Sequence, residues 1–202
     1  MNWIKTNDQP LSQGNKSGER IIVERNSQNN NEPPIFKGST KLSASLSRVA
    51  FVLIDINSKK RWVNRLAEYN LIEGDIFGME YKIYEHYDLA WPVSDREYVL
   101  DGKWTVDLDG KFPSVKLAIS STTHKDYSIR KDRVRGDLKK LVFHLKEIAP
   151  ETTEVTVEIK VDPKGKLPSF LVNSIQKNWP LTTLRALNKE LSQGEEKHKL
   201  FK

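Results

Sequence analysis

The 202-residue chain contains no cysteine. That excludes disulfides and thiolate metal sites and leaves the compartment open. No apolar run approaches the ~20 residues a membrane-spanning helix needs. The first twenty residues, MNWIKTNDQPLSQGNKSGER, also lack the apolar stretch of a secretory leader. The expectation is a soluble protein, cytoplasmic or, if a leader has been removed, periplasmic. The ten glycines are scattered, so neither phosphate loop nor dinucleotide fingerprint nor G-x-S-x-G nucleophile elbow is present. The four histidines, His86, His124, His144 and His198, never stand three or four residues apart, which argues against a metal site. No metal, no cofactor and no catalytic residue is expected.

What is present is a polar globular composition. Hydrophobic residues make up 37% and charged residues 30%, with net charge +6, enough for one core with a heavily solvated surface. A basic balance fits nucleic acid, an anionic membrane surface or plain solubility. The densest basic run, KDYSIRKDRVRGDLKK (125–140), is interrupted by Asp126, Asp132 and Asp137 and offers Tyr127 as its one aromatic. Binding to single strands wants several stacking rings. The run therefore reads as a solvated hairpin loop, and no nucleic-acid partner is expected. The Asp107-Leu-Asp109-Gly stretch reads as a turn, because no further calcium ligands follow at the needed spacing.

Periodicity divides the chain. Residues 1–17 are polar and aperiodic, a flexible arm. Ile21–Val23 and Ile35–Ser43 are extended, separated by the NSQNNNEPP loop (26–34). From Ser45, a plausible N-cap, Leu46, Val49, Ala50, Leu53 and Ile56 recur at helical spacing, and a second helical piece carries Trp62, Val63 and Leu66. From Met79 the period is two. Five strands follow, joined by short polar loops, which predicts an antiparallel meander with one dry and one wet face. Residues 167–191 read as a long helix with Leu167, Phe170, Leu171, Ile175 and Trp179 on one stripe, Leu184, Leu187 and Leu191 continuing at helical spacing, and a kink at Pro180. The tail 194–202 is charged and expected to fray. A curved sheet around one long helix, an α+β architecture, covers the dry face most economically.

One constellation stands out. Parity puts Glu85 on the face of Tyr81, Ile83, Tyr87 and Leu89. It puts Arg96 on the face of Tyr98, Leu100 and Trp104. A charge on a dry face must pair, neutralise or border a wet cavity. Alternatively Arg96 sits at the strand edge and snorkels to solvent.

The motifs then converge on a known family. IIVERN and PIFKGSTKLSAS resemble the first strands of the START domain (steroidogenic acute regulatory protein-related lipid transfer). Asp55 to Trp62 resembles its D-x-x-x-x-x-W segment. WPVSDREYV resembles its P-x-S-x-R-D-F-V strand start, with Glu97 and Tyr98 where Asp and Phe are usual. DRVRG matches its V-R-G element, and VDPKGKLPSFLVNSIQKNWPLTTLRAL resembles its D-P-x-G-x-L-P-x-W-L-V-N helix with a downstream W-P. The five lie in family order, from about Ser17 to Gln193.

The resemblance implies a helix-grip fold over residues 18–193, with a lipid-sized cavity between sheet and helix. It implies noncovalent binding, and possible transfer, of a sterol, phospholipid or similar lipid, with transient membrane contact and a monomeric state. In several family members a buried acidic–basic pair reaches the ligand's polar group; here parity nominates Glu85 and Arg96. A basic residue that some members carry deeper in that strand falls near Gly102. The expected cavity lining is Glu85, Tyr87, Arg96, Tyr98, Leu100, Trp104, Leu117, Phe143, Phe170, Leu171, Ile175 and Trp179. A cyclase or hydrolase of the same broad fold is the alternative, needing an acid–base pair inside the cavity; no histidine is expected there.

Overall fold

The structure is a computed structural model. It describes residues 2–12, 18–26 and 33–201, without the side chains of residues 169–171. The expected lining residues Phe170 and Leu171, most of the 26–34 loop and the end of the N-terminal arm lie outside that description.

Among the described residues ten strands and three helices follow in the order β1 (Ile4–Pro10), β2 (Arg20–Asn26), β3 (Ile35–Leu42), α1 (Leu46–Ile54), α2 (Ile56–Trp62), β4 (Leu66–Gly74), β5 (Glu80–Tyr87), β6 (Asp95–Asp107), β7 (Ser114–Ser121), β8 (Arg133–Arg135), β9 (Asp137–Ala149), β10 (Thr152–Asp162) and α3 (Ser169–Leu191). Nine strands form one curved, open sheet in the order β1-β2-β3-β10-β9-β7-β6-β5-β4, and β8 adds in parallel to the start of β6. The helix-grip expectation holds: α3 packs on β2, β3 and β10, with α1 and α2 alongside it.

Local chemistry sets the helix ends. Ser45 caps α1 by accepting the Arg48 N–H at 3.3 Å. Asp55 separates the two short helices: its side chain accepts the Ser58 N–H at 2.8 Å and starts α2. The strands alternate as expected. One inward row crosses five of them in register: Trp104, Leu117, Phe143, Val157 and Gly38. At the end of the row the helix touches the sheet. A Cβ on Gly38 would lie 2.7 Å from Pro180 Cβ, so glycine is what lets α3 lie this close. The helix runs unbroken through Pro180.

Several expectations need correcting. The flexible arm is in part an edge strand, β1, paired with β2. The helical piece ends at Trp62, and Leu66 opens β4, the opposite edge of the sheet. On α3 the buried positions are Gln176, Pro180, Leu181, Thr183, Leu184, Leu187 and Glu190. Leu184 and Leu187 are buried as expected, but at the start of the helix Trp179 is half-buried and Ile175 is 54% exposed, turned away from the sheet. The tail does not fray, since His198 and Phe201 are buried. Nor is the outer face of the sheet wet throughout. The segment before β9 folds over β5 and β6 and buries Tyr84, His86 and Glu97.

Candidate functional site

On the inner face of β4, β5 and β6 a charged pair lies among aromatic rings. The register pairs Tyr69 with Glu85 and Glu85 with Tyr98, and Tyr87 with Arg96, so these side chains share one face. Glu85 is 4% exposed, but it does not meet Arg96. Its Oε1 accepts from Lys59 Nζ at 2.9 Å and its Oε2 from the Tyr87 hydroxyl at 2.8 Å. Lys59 comes from α2, is itself buried, and lies 4.8 Å from the centroid of the Tyr69 ring. Tyr69 in turn donates to the Ile54 carbonyl at 3.2 Å. Tyr87 and Tyr98 meet edge to face, their centroids 5.9 Å apart.

Burial governs the ionisation of these phenols. Desolvation pushes Tyr69, Tyr81, Tyr87 and Tyr98 up, and the carboxylate of Glu85 adds to the rise in each. All four stay protonated donors at neutral pH.

Lys59 is absent from the sequence-level candidates. It sits in the basic run Lys59-Lys60-Arg61, which reads as a solvated face. Yet Ile56, Lys59 and Val63 fall at i, i+3 and i+7, and that spacing puts one of the three cations on an apolar stripe. Tyr69 was hidden for another reason: β4 is bulged between Leu66 and Glu68 and again between Leu71 and Glu73, which breaks the period of two.

Arg96, also 4% exposed, has a different task. Its Nε donates to the Pro163 carbonyl at 3.1 Å and its Nη2 to that of Lys164 at 2.9 Å, while Nη1 meets the Ser94 carbonyl. Burial pulls the guanidinium below its ordinary value, and three carbonyl dipoles hold it. It fastens the turn before α3 to the start of β6. Beside that turn is a cavity of about 280 Å³, lined by Pro34, Val161, Pro163, Gly165, Leu167, Val172 and Gln176 among others.

Of the remaining expected lining, Leu100, Leu117 and Phe143 are buried on the inner face with the charged pair. Trp104 is 2% exposed, and its ring is covered by the C-terminal tail: centroids lie 4.9 Å from Phe201 and 5.7 Å from His198. A histidine thus stands against the inner face, contrary to expectation. Gly102 carries no cation and leaves space for Tyr81, whose ring an added Cβ would overlap.

The outer face carries its own network. Glu97 is fully buried and accepts from Arg135 at 2.9 Å, from the Tyr84 hydroxyl at 2.8 Å and from the Arg130 N–H at 3.3 Å. His86 lies between Glu68 at 3.1 Å and Asp95 at 2.8 Å. The basic run is therefore pinned by its arginines rather than loosely solvated. Among the described residues no cluster of three or more His, Asp or Glu is arranged to hold a metal ion, and no helix is long and apolar enough to cross a membrane.

Known proteins share this architecture. The family model for the START domain matches residues 14–197. Uncharacterized protein PA1579 of Pseudomonas aeruginosa is 26% identical over 153 residues, covering 75% of this chain and 72% of its own. A STAR-related lipid transfer protein from Xanthomonas axonopodis superposes with a TM-score of 0.75 at 25% identity, covering 95% of this chain and 99% of the other. Human STARD10 superposes at 0.80 with 19% identity, covering 95% and 73%. An aromatase/cyclase from a Streptomyces species shares the fold more distantly, at 0.51 and 10% identity.

Proposed function

This chain belongs to the START domain family, and from that premise we propose that it binds a lipid-like ligand noncovalently between the sheet and α3. The observation that carries the reading is the Lys59–Glu85 pair. A buried pair is costly to hold in an apolar interior, and here it is joined by Tyr87 on the face that the fold turns toward the helix. We assign it the polar end of the ligand. Leu100, Leu117 and Phe143 line the apolar part, where removing hydrocarbon from water contributes about 25 cal/mol per Å². Tyr98 stands between the two. Arg96 frames the site by fixing the turn at the cavity beside α3, which we take as the entrance. Ile175 points outward and belongs to the outside of that entrance.

Membrane contact belongs to the same end. Trp91, 93% exposed, lies in the turn between β5 and β6. Ile129, 68% exposed, precedes β8, which pairs with the start of β6. Ile175 is near the beginning of α3. Arg130, Lys131, Lys164 and Lys166 supply cations at these turns. Apolar tips among cations suit an anionic interface.

No covalent step is proposed. Glu85, Lys59 and Tyr87 are bonded to one another, and burial keeps the phenols of Tyr87 and Tyr98 protonated.

The test is native mass spectrometry and solvent extraction of the purified protein, followed by titration of delipidated protein with sterol, fatty acid and phospholipid. We expect one class to be retained, and Lys59→Met and Glu85→Gln to weaken it. Retention of none, or identical binding by both variants, overturns the reading.

A further inference from the structure

The C-terminal segment departs from the rest of the interior in how it is held. After α3 the chain turns at Gly194, whose φ of +153° suits glycine. The next residues fold back under the sheet. His198 N–H donates to the Ser47 carbonyl of α1 at 2.9 Å, and Ser47 Oγ donates to the His198 carbonyl at 3.1 Å. The His198 ring stacks on Phe201, centroids 4.1 Å apart, and meets Trp104 and Phe77 edge-on. Trp104 is six residues beyond Tyr98 on β6, roughly 20 Å along an extended strand. The segment thus covers the inner face at the end opposite the entrance.

Its polar groups are not all satisfied. Five buried side-chain nitrogens among the described residues have no hydrogen-bond partner, and three are here: Trp104 Nε1, His198 Nε2 and Arg48 Nε. Each has lost water without gaining a bond. The rings hold the segment down while these groups weaken its hold, as expected of an element of low local stability.

We propose that residues 195–201 form a detachable plug over the Trp104 end of the interior, released by acid. His198 supplies the trigger. Its Nδ1 accepts the Leu200 N–H at 3.2 Å, so the neutral ring carries its hydrogen on Nε2. A second proton removes that acceptor and leaves a buried cation. Desolvation accordingly holds the docked imidazole down to about 4, against the opposing pull of Asp75.

The sign follows. A detached tail takes up a proton near the ordinary value of 6.5 while the docked one does not, so release is favoured progressively as pH falls from about 6.5 toward 4. Of the other charges facing the segment, Glu196, 3.1 Å from Arg48, is held below the ordinary carboxylate value by its own backbone N–H and by Arg48. Lys197 and Glu151 pair at 3.2 Å on the surface.

The test needs no ligand. Hydrogen exchange of the full chain is followed by mass spectrometry at pH 7 and pH 5, corrected for intrinsic rates. We expect protection of the 195–201 peptide to fall by about tenfold or more, with β7, β9 and β10 unchanged. His198→Phe, which keeps a stacking ring and cannot titrate, should retain protection at pH 5. Phe201→Ala should lose it already at pH 7. Unchanged protection in the native chain, the same acid loss in His198→Phe, or simultaneous loss in the strands overturns the proposal.

Discussion

Lys59 Nζ lies 2.9 Å from Glu85 Oε1, with both side chains buried and drawn from different elements, α2 and β5. The pair ties the short helix to the sheet. Removing one partner strands the other charge. Lys59→Met should therefore cost about 3–5 kcal/mol of stability, and Lys59→Met with Glu85→Leu should recover much of it. Urea denaturation of the two single variants and the double variant checks this; additive losses would contradict it.

Gly102 leaves the space Tyr81 fills, and an added Cβ would overlap the ring carbons. Gly102→Ala should cost about 1–3 kcal/mol through overpacking. The penalty should shrink in a Tyr81→Leu background, because the obstructing ring is gone. Thermal melts of the four proteins supply the double-mutant cycle.

Arg135 meets Glu97 at 2.9 Å, and Glu97 is fully buried. Arg135→Ala leaves that carboxylate without its cation and should cost several kcal/mol. Arg135→Lys should recover part of it, since a lysine cannot reproduce the paired Nε and Nη2 contacts. Denaturant midpoints rank the three proteins.

Asp95 is held below its ordinary value of 3.8, first by the Leu89 N–H and then by His86. A depressed carboxyl contributes stability above its unfolded value and loses it as pH falls through the folded one. Asp95→Asn should therefore lower the melting temperature at pH 7 and flatten its decline below about pH 4. A parallel decline in both proteins would refute the assignment.

Trp91 is 93% exposed. Trp91→Ala should leave stability within about 0.5 kcal/mol while weakening partition onto anionic vesicles. Added salt should weaken the native protein's partition as well. Vesicle sedimentation at two ionic strengths measures both.

Much of this was legible in the sequence, for identifiable reasons. Tyr81, Ile83 and Glu85, and across from them Tyr98 and Leu100, alternate without interruption, so parity gave the inner face and the place of the acid. Arg96 was placed on that face too, but parity cannot see a turn 67 residues away whose carbonyls take it. Lys59 was obscured by its basic neighbours, and Tyr69 by two bulges. β1 is polar and bulged between Lys5 and Asn7, so no period announces it. The buried outer-face groups Tyr84, His86 and Glu97 read as solvent-facing because the segment covering them is remote in sequence. His198 and Phe201 lie in a tail whose composition is charged, and two side chains make too short a pattern to register.

The pairing of β3 with β10 has a bearing on how the chain acquires its structure. Thr153 Oγ1 donates to the Ala44 carbonyl across a separation of 109 residues, and seven register pairs join the same two strands. Closing so long a loop comes before any stabilisation from the contacts it permits. During synthesis β1–β3 must wait, one edge unpaired, until more than three quarters of this chain has been made. Folding of this sheet is then completed from its last strand, and that interval is when the protein is most open to wrong partners.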